Sequence, residues 1–246
     1  MIKIITIITK FIIATIVALL FSSCNHSGLL SIGIEGSGKI TTETRAISDA
    51  FKSVEVSDGI LVTIEQSNTK SITVETDDNL QKHIITRIEN GVLIIKSDKT
   101  YNSSETPVVN VKMFIINGLS SNSGSEIKSS NTIITENINV ISSSGSQINI
   151  DVEADAISME SSSGSSIEAR GKALNLETSS SSGSQINAEN LLTNNVVSQT
   201  SSGSTTSVFP IVKLDAKASS GSVITYFKIP KTIIKEESSG GCVAEE

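Results

Sequence analysis

Asp151, Arg170 and Glu189 are charged residues that each stand six positions after a glycine, Gly145, Gly164 and Gly183. A glycosidase or polysaccharide lyase would need acids and bases converging at one level of the fold. An identical slot in a repeated unit instead stacks these side chains in one exterior row, where opposite charges contribute little. His83 is the only histidine beyond His26, and no second histidine or cysteine accompanies it at metal-ligand spacing, so neither a zinc site nor a Cys-His pair is expected. Cys242 lies in a glycine-rich end, where residues 242–246 are expected to fray. No catalytic residue, metal site or cofactor site emerges.

The other cysteine has a clearer chemistry. Lys3 and Lys10 make a basic start, Phe11 to Leu20 an apolar run, and small Ser22 and Ser23 precede Cys24, which is the order of an export signal over residues 1–23. Leu20-Phe21-Ser22-Ser23-Cys24 resembles a lipobox, which implies cleavage before Cys24 and a diacylglycerol on its thiol. The membrane is then a partner through that lipid, and lipid anchoring in the outer membrane is expected. An uncleaved anchor and a secreted form are the alternatives. The small polar stretch Asn25-His26-Ser27-Gly28 suits a tether over residues 24–38. It carries no acidic cluster, and display toward the periplasm or the cell surface stays open.

Removal of Lys3 and Lys10 with the signal takes the formal net charge from −7 to −9. No basic patch is left to neutralise phosphates, so nucleic acid is excluded as a partner. Two cysteines, one of them at the signal's end, cannot build a disulfide framework. Serine, threonine, asparagine and β-branched residues dominate, with 3 prolines and 3% aromatics, which favours strands over a helical bundle or a disordered tail.

Those strands are ordered by a repeat. Glycines at 124, 145, 164, 183, 203, 221 and 240 sit in Ser-Gly-Ser or a close relative, at spacings of 21, 19, 19, 20, 18 and 19. Units of this length stack, because none can bury its apolar face alone. Seven residues before the glycine stand Ile138, Ile157, Leu176, Val196, Leu214 and Ile233. Three after it stand Ile127, Ile148, Ile167, Ile186 and Ile224, with Thr206 the exception. Alternation between these positions gives strands with one face inward. The serines flanking each glycine share that parity, so Ser144 and Ser146 are both expected to point inward and hydrogen-bond from coil to coil. An exposed serine row that binds glycan, ice or protein is the alternative. A rung spacing of ~4.8 Å makes residues 124–240 a rod roughly 29 Å long.

The fold class is therefore all-β: a right-handed parallel β-helix with coils of about 19 residues over 118–241, preceded by broader β coils in a head region at 39–117. In the head, Val54, Val56, Ile60, Val62 and Ile64 alternate around Asp58-Gly59. Ile84, Ile88, Val92 and Ile94 flank the turn signal Asn90-Gly91. Val109, Val111, Met113 and Ile115 complete the set, and Asp77 to His83 is the one candidate helical turn. A separate small sandwich is the other arrangement open to these residues.

In the last coils Phe209 and Phe227 take the slot that is polar or charged elsewhere, with Tyr226 adjacent. They form a candidate contact patch, or else a cap on the open end of the solenoid. The stretch from Phe51 to Gln66, then Val74 to Leu80, Asn90 to Ile95 and the Ser-Gly-Ser repeats resembles the head GIN domain of the auto-transporter adhesins, a family common among lipoproteins of the Bacteroidota. The resemblance covers about residues 39–225. It implies a β-helical fold and membership of an adhesin-labelled family; the anchor, the solenoid and the lack of a catalytic constellation point to a non-enzymatic, adhesin-like binding or scaffolding role for a protein or glycan ligand. The alternatives are a carbohydrate-active β-helix enzyme and a periplasmic structural lipoprotein with no ligand of its own.

Overall fold

The computed structural model describes residues 33–246. The export signal, Cys24 and most of the tether lie outside the described residues. The described chain is a β-solenoid of about seven turns, with parallel bridges about 19 residues apart.

One corner repeats along the stack. In Ser144-Gly145 both residues are left-handed, at φ 54° and 72°, and the same pair recurs at Ser163-Gly164, Ser182-Gly183, Ser202-Gly203 and Ser220-Gly221. Glycine suits the second position, where a side chain would be strained although the space is open. Asp58-Gly59, at 69° and 73°, is the same corner made with aspartate. The Gly59 amide donates to the Ser123 carbonyl at 3.1 Å, and the Gly124 amide to that of Ser144 at 3.1 Å, so the corners are stitched one above another.

The head contains β1 (Ile34–Glu35), β2 (Ile40–Thr44), β3 (Ser53–Val56), β4 (Leu61–Gln66), β5 (Ser71–Asp77), a 3-10 turn at Gln81–His83, β6 (Ile84–Glu89), β7 (Val92–Ser97), β8 (Tyr101–Asn102) and β9 (Val108–Met113). Its coils do not stack in chain order. The first coil, β3 and β4, lies between β7 and β9 on one side and β10 (Gly118–Ser121) and β11 (Glu126–Ser129) on the other, all parallel. The later segment, 92–113, thus folds back beneath the earlier one. Antiparallel strands close that end: β6 on β7 through the Asn90-Gly91 hairpin, β5 on β9, and β2 on β5. A single 17-stranded sheet joins head and repeats, so the head is not a separate sandwich.

The stack continues through β12 (Ile133–Ser142), β13 (Gln147–Ser161), β14 (Ser166–Ser180), β15 (Gln185–Thr200), β16 (Thr205–Ser219), β17 (Val223–Tyr226), β18 (Thr232–Ser238) and β19 (Cys242–Glu245). Its core is a set of ladders. Val109, Val62, Ile127, Ile148, Ile167, Ile186, Thr206, Ile224 and Val243 stand directly over one another, all buried. Thr206 fits the apolar row because the Thr200 hydroxyl bonds its own at 2.8 Å. Leu93 and Ile95 pair with Val54 and Val56 and share their inward side. Val92 and Ile94, the head residues singled out in the sequence, are the less buried set in β7.

The inner serines behave as expected on one side of the glycine only. Ser146 is buried, and its hydroxyl donates to the Ser121 carbonyl at 2.6 Å. Ser144 is exposed, because its left-handed backbone breaks the period of two at the corner. The inward serine before the glycine is Ser142, 2.8 Å from Ser146 between hydroxyl oxygens. The C-terminus is a second correction. Cys242–Glu245 does not fray but pairs with Val223–Tyr226, since the inward Val243 continues the isoleucine ladder.

Candidate functional site

The main cleft forms where the head crosses onto the solenoid. Met113 and Ile116 are buried and hold the crossing segment down, which turns Phe114 outward at 58% exposure. Ile134, at the start of the next coil, is 65% exposed. Gln66 ties the two together: its Nε2 donates to the carbonyls of Phe114 at 3.1 Å and Ile134 at 2.9 Å, and its Oε1 accepts from the Ile134 amide at 2.7 Å. The Gln66 main chain is in turn held from both sides by the Asn131 carboxamide, at 3.0 and 2.9 Å. This frame borders an open cleft of about 870 Å³, also lined by Lys52, Asn68, Asn117, Thr135, Glu136 and Asn137.

From Asn117 and Asn137 the cleft continues as a shallower groove across the coils. Strand register sets its walls. Asn137, Ala156, Asn175 and Asn195 occupy one row, and Asn139, Ser158, Glu177 and Val197 the next. The Asn195 carboxamide donates to that of Asn175 at 3.1 Å, so neighbouring rungs are linked at the surface. Glu136 and Glu177 lie two rungs and three residues apart, about 14 Å at Cα given ~4.8 Å per rung and ~3.3 Å per residue.

The charged row suggested by the sequence is only partly assembled. Asp151 and Arg170 are directly opposite one another, but Arg170 pairs with Glu168 of its own strand, Nη2 to Oε1 at 2.5 Å. Glu189 leaves the row because β15 carries one extra residue between Asn187 and Leu191, opposite Glu168 to Gly171. The His83 ring Nδ1 is 2.8 Å from Asp98. Among the described residues no group of three or more histidine, cysteine, aspartate or glutamate side chains is arranged to hold a metal ion. Cys242 is an exposed free thiol.

The aromatic patch needs correction at one residue. Tyr226 is 6% exposed and belongs to the core, because it pairs with the buried Val208 on the adjacent coil. Its outer end is sealed by Lys235, whose ammonium is 3.0 Å from the phenol oxygen, 3.1 Å from the Val243 carbonyl and 4.6 Å from the ring centroid. Phe209 and Phe227 are half-buried, and the Lys228 ammonium lies 5.9 Å from the Phe209 ring.

The opposite end carries a second shallow cleft around Asp58, Lys99, Tyr101 and Pro107. There the Tyr101 hydroxyl donates to the Asp58 carbonyl at 2.5 Å. Burial, and then the Asp58 carboxylate, push the phenol up to about 12.

Neither cleft is recognisable as such in the sequence. Gln66, Phe114 and Ile134 come together only because 67–113 leaves the first coil, folds back beneath it and returns; Ile115, read from alternation as part of the set with Met113, is 37% exposed, and the buried residue is Ile116.

Residues 50–230 match the family described as "Putative auto-transporter adhesin, head GIN domain". The chain belongs to this family. Among solved structures, a putative adhesin from Bacteroides fragilis superposes with a TM-score of 0.81 at 17% identity, over 87% of this chain and 100% of that one. A putative adhesin from Parabacteroides distasonis gives 0.71 at 18% identity, over 87% and 99%. A protein from the same species, described as a "putative lipid binding protein", gives 0.70 at 17%, again over 87% and 99%. At these identities the likeness is one of fold. No curated protein matches the sequence.

Proposed function

We propose that this head GIN protein is a non-enzymatic binding or scaffolding module of the cell envelope, held in the outer membrane by diacylglycerol on Cys24. The carrying observation is the way its N-terminal arm is fastened. β1 pairs with β8 at the capped end of the solenoid, the Asp77 carboxylate accepts from the Gly38 amide at 2.7 Å, and the Asn79 side chain grips Ser37 N and Glu35 O at 2.9 and 2.7 Å. Cys24 precedes Gly33 by nine residues, a reach of at most about 30 Å. A lipid there would load the chain through the head end, where β1 pairs with β8.

The test uses the full chain in its own cells. Metabolic labelling with a fatty-acid analogue is expected to mark the protein and to fail for Cys24→Ser, which should leave the membrane fraction. Protease treatment and amine labelling of intact cells then read its face. An unlabelled protein that fractionates as soluble would overturn the anchor. Cells that behave alike with and without it, in adhesion and in envelope integrity, would overturn the role.

A further inference from the structure

We infer that the cleft beneath Phe114 and the asparagine groove that continues from it bind an extended, uncharged polysaccharide chain. This rests on the reading of the protein as a binding module and names the ligand class of that module.

The backbone at the groove is already committed. From Asn139 onward its strands are paired on both sides, as where the Asn139 amide donates to Asn117 O at 3.0 Å; at the cleft, where residues 133–137 pair with β13 alone, the Gln66 carboxamide occupies the Ile134 amide and carbonyl and obstructs an added peptide strand. A ligand meets side chains alone. Asn117, Asn137, Asn139, Ser158, Asn175 and Asn195 supply carboxamides and a hydroxyl, each able to donate and accept, over a floor and wall made apolar by residues such as Leu176 and Val197. Sugar hydroxyls have the same dual character. Lys52 is the only cation of the cleft and groove, against Glu136 and Glu177, on a chain of net charge −7. An acidic polymer is therefore disfavoured.

A protein partner would be expected to meet aromatic and arginine anchors. The lining holds one phenylalanine and no arginine. That phenylalanine, together with Ile134, instead gives one end an exposed apolar platform for the C–H face of a sugar ring. The walls repeat at the rung spacing of ~4.8 Å, which suits a ligand that is itself a repeat.

Full-length protein in detergent would be tested by affinity electrophoresis and calorimetry against neutral glucan, galactomannan and arabinoxylan, with alginate and heparin as acidic probes and fibronectin and collagen as protein probes. At least one neutral polysaccharide is expected to bind. Phe114→Ala, and Asn137→Ala with Asn139→Ala, should each weaken it about tenfold. Exposed Asn190→Ala should not. No binding to any neutral polysaccharide, preference for the acidic or protein probes, or equal binding by the groove variants would each overturn the assignment. Cell adhesion separates the two readings. Adhesion that depends on the protein but is unchanged by the groove variants defeats the site and leaves the binding module standing, whereas adhesion indifferent to the protein defeats both.

Discussion

The Ser184 hydroxyl donates to the main-chain carbonyl of Ser161, one coil earlier, at 2.7 Å, and lies 2.9 Å from the Ser180 hydroxyl. Ser146 on Ser121 and Ser222 on Thr200 repeat the same inter-coil bond. The inward serines of the repeat, such as Ser146, Ser184 and Ser222, are thus a polar ladder inside the corner, satisfied from coil to coil. Ser184→Ala should cost about 1–2 kcal/mol in denaturant unfolding, since the Ser161 carbonyl keeps its bond from the Ser181 amide. Exposed Ser179→Ala should stay within about 0.5 kcal/mol. Equal effects at the two positions would remove the ladder's energetic role.

Gly171 is required for a different reason from the corner glycines. It sits at φ 121°, and an added Cβ would lie 2.2 Å from the Val152 carbonyl oxygen of the neighbouring coil. Backbone there cannot yield without parting β13 from β14. Gly171→Ala should therefore destabilise by more than about 3 kcal/mol, whereas Gly164→Ala, with open space around it, should cost only the left-handed penalty of about 1–2 kcal/mol. Chemical unfolding of the two variants orders them, and a milder loss at Gly171 would contradict the close approach.

Asp77 fastens the N-terminal arm and gives it a pH dependence. Desolvation raises its pKa, but the Ser104 hydroxyl and amide and the Gly38 amide outweigh it and hold the carboxyl below its ordinary value of 3.8. The contribution to stability is therefore complete above that value and is lost as pH falls through the lower, folded value. Asp77→Asn should loosen the arm at neutral pH as acid does in the native chain. Hydrogen exchange at Gly38 and Ser104 would show it, and unchanged protection in the variant would mean that β1 and the Asn79 side chain hold the arm without Asp77.

What could be read from the sequence was whatever repeats within one coil. The inward parity of Ile148 and Ile186 follows from alternation, and so does the burial of Ser146. Ser144 did not follow, because its conformation depends on a two-residue left-handed corner that resets the alternation. Asp58-Gly59 is that same corner without the serine signature, which is why the first coil was hidden in the head. The cleft was illegible for a topological reason: Gln66 reaches Phe114 and Ile134 only once 92–113 has folded back below β3 and β4. Tyr226 was misjudged because the final strand, 242–245, covers one side of it.

The last described coil carries charges on its open edge. Lys235 and Glu237 stand over Ala216 and Ala218, which are buried in the preceding coil, so the last coil places charges where another coil would need apolar contact. Both charges are used locally: Lys235 on Tyr226 and Val243, and Glu237 accepting from the Val243 amide at 2.6 Å. The unpaired edge of β18 is thereby protected against a second copy. Replacing both, as Lys235→Leu with Glu237→Val, should expose an apolar edge and drive end-to-end association, read as concentration-dependent dimers by light scattering. Lys235→Gln with Glu237→Gln keeps the slots polar and should stay monomeric. If the two double variants associate alike, lost charge and not apolar stacking is responsible; if neither does, the edge is guarded by something other than these two residues.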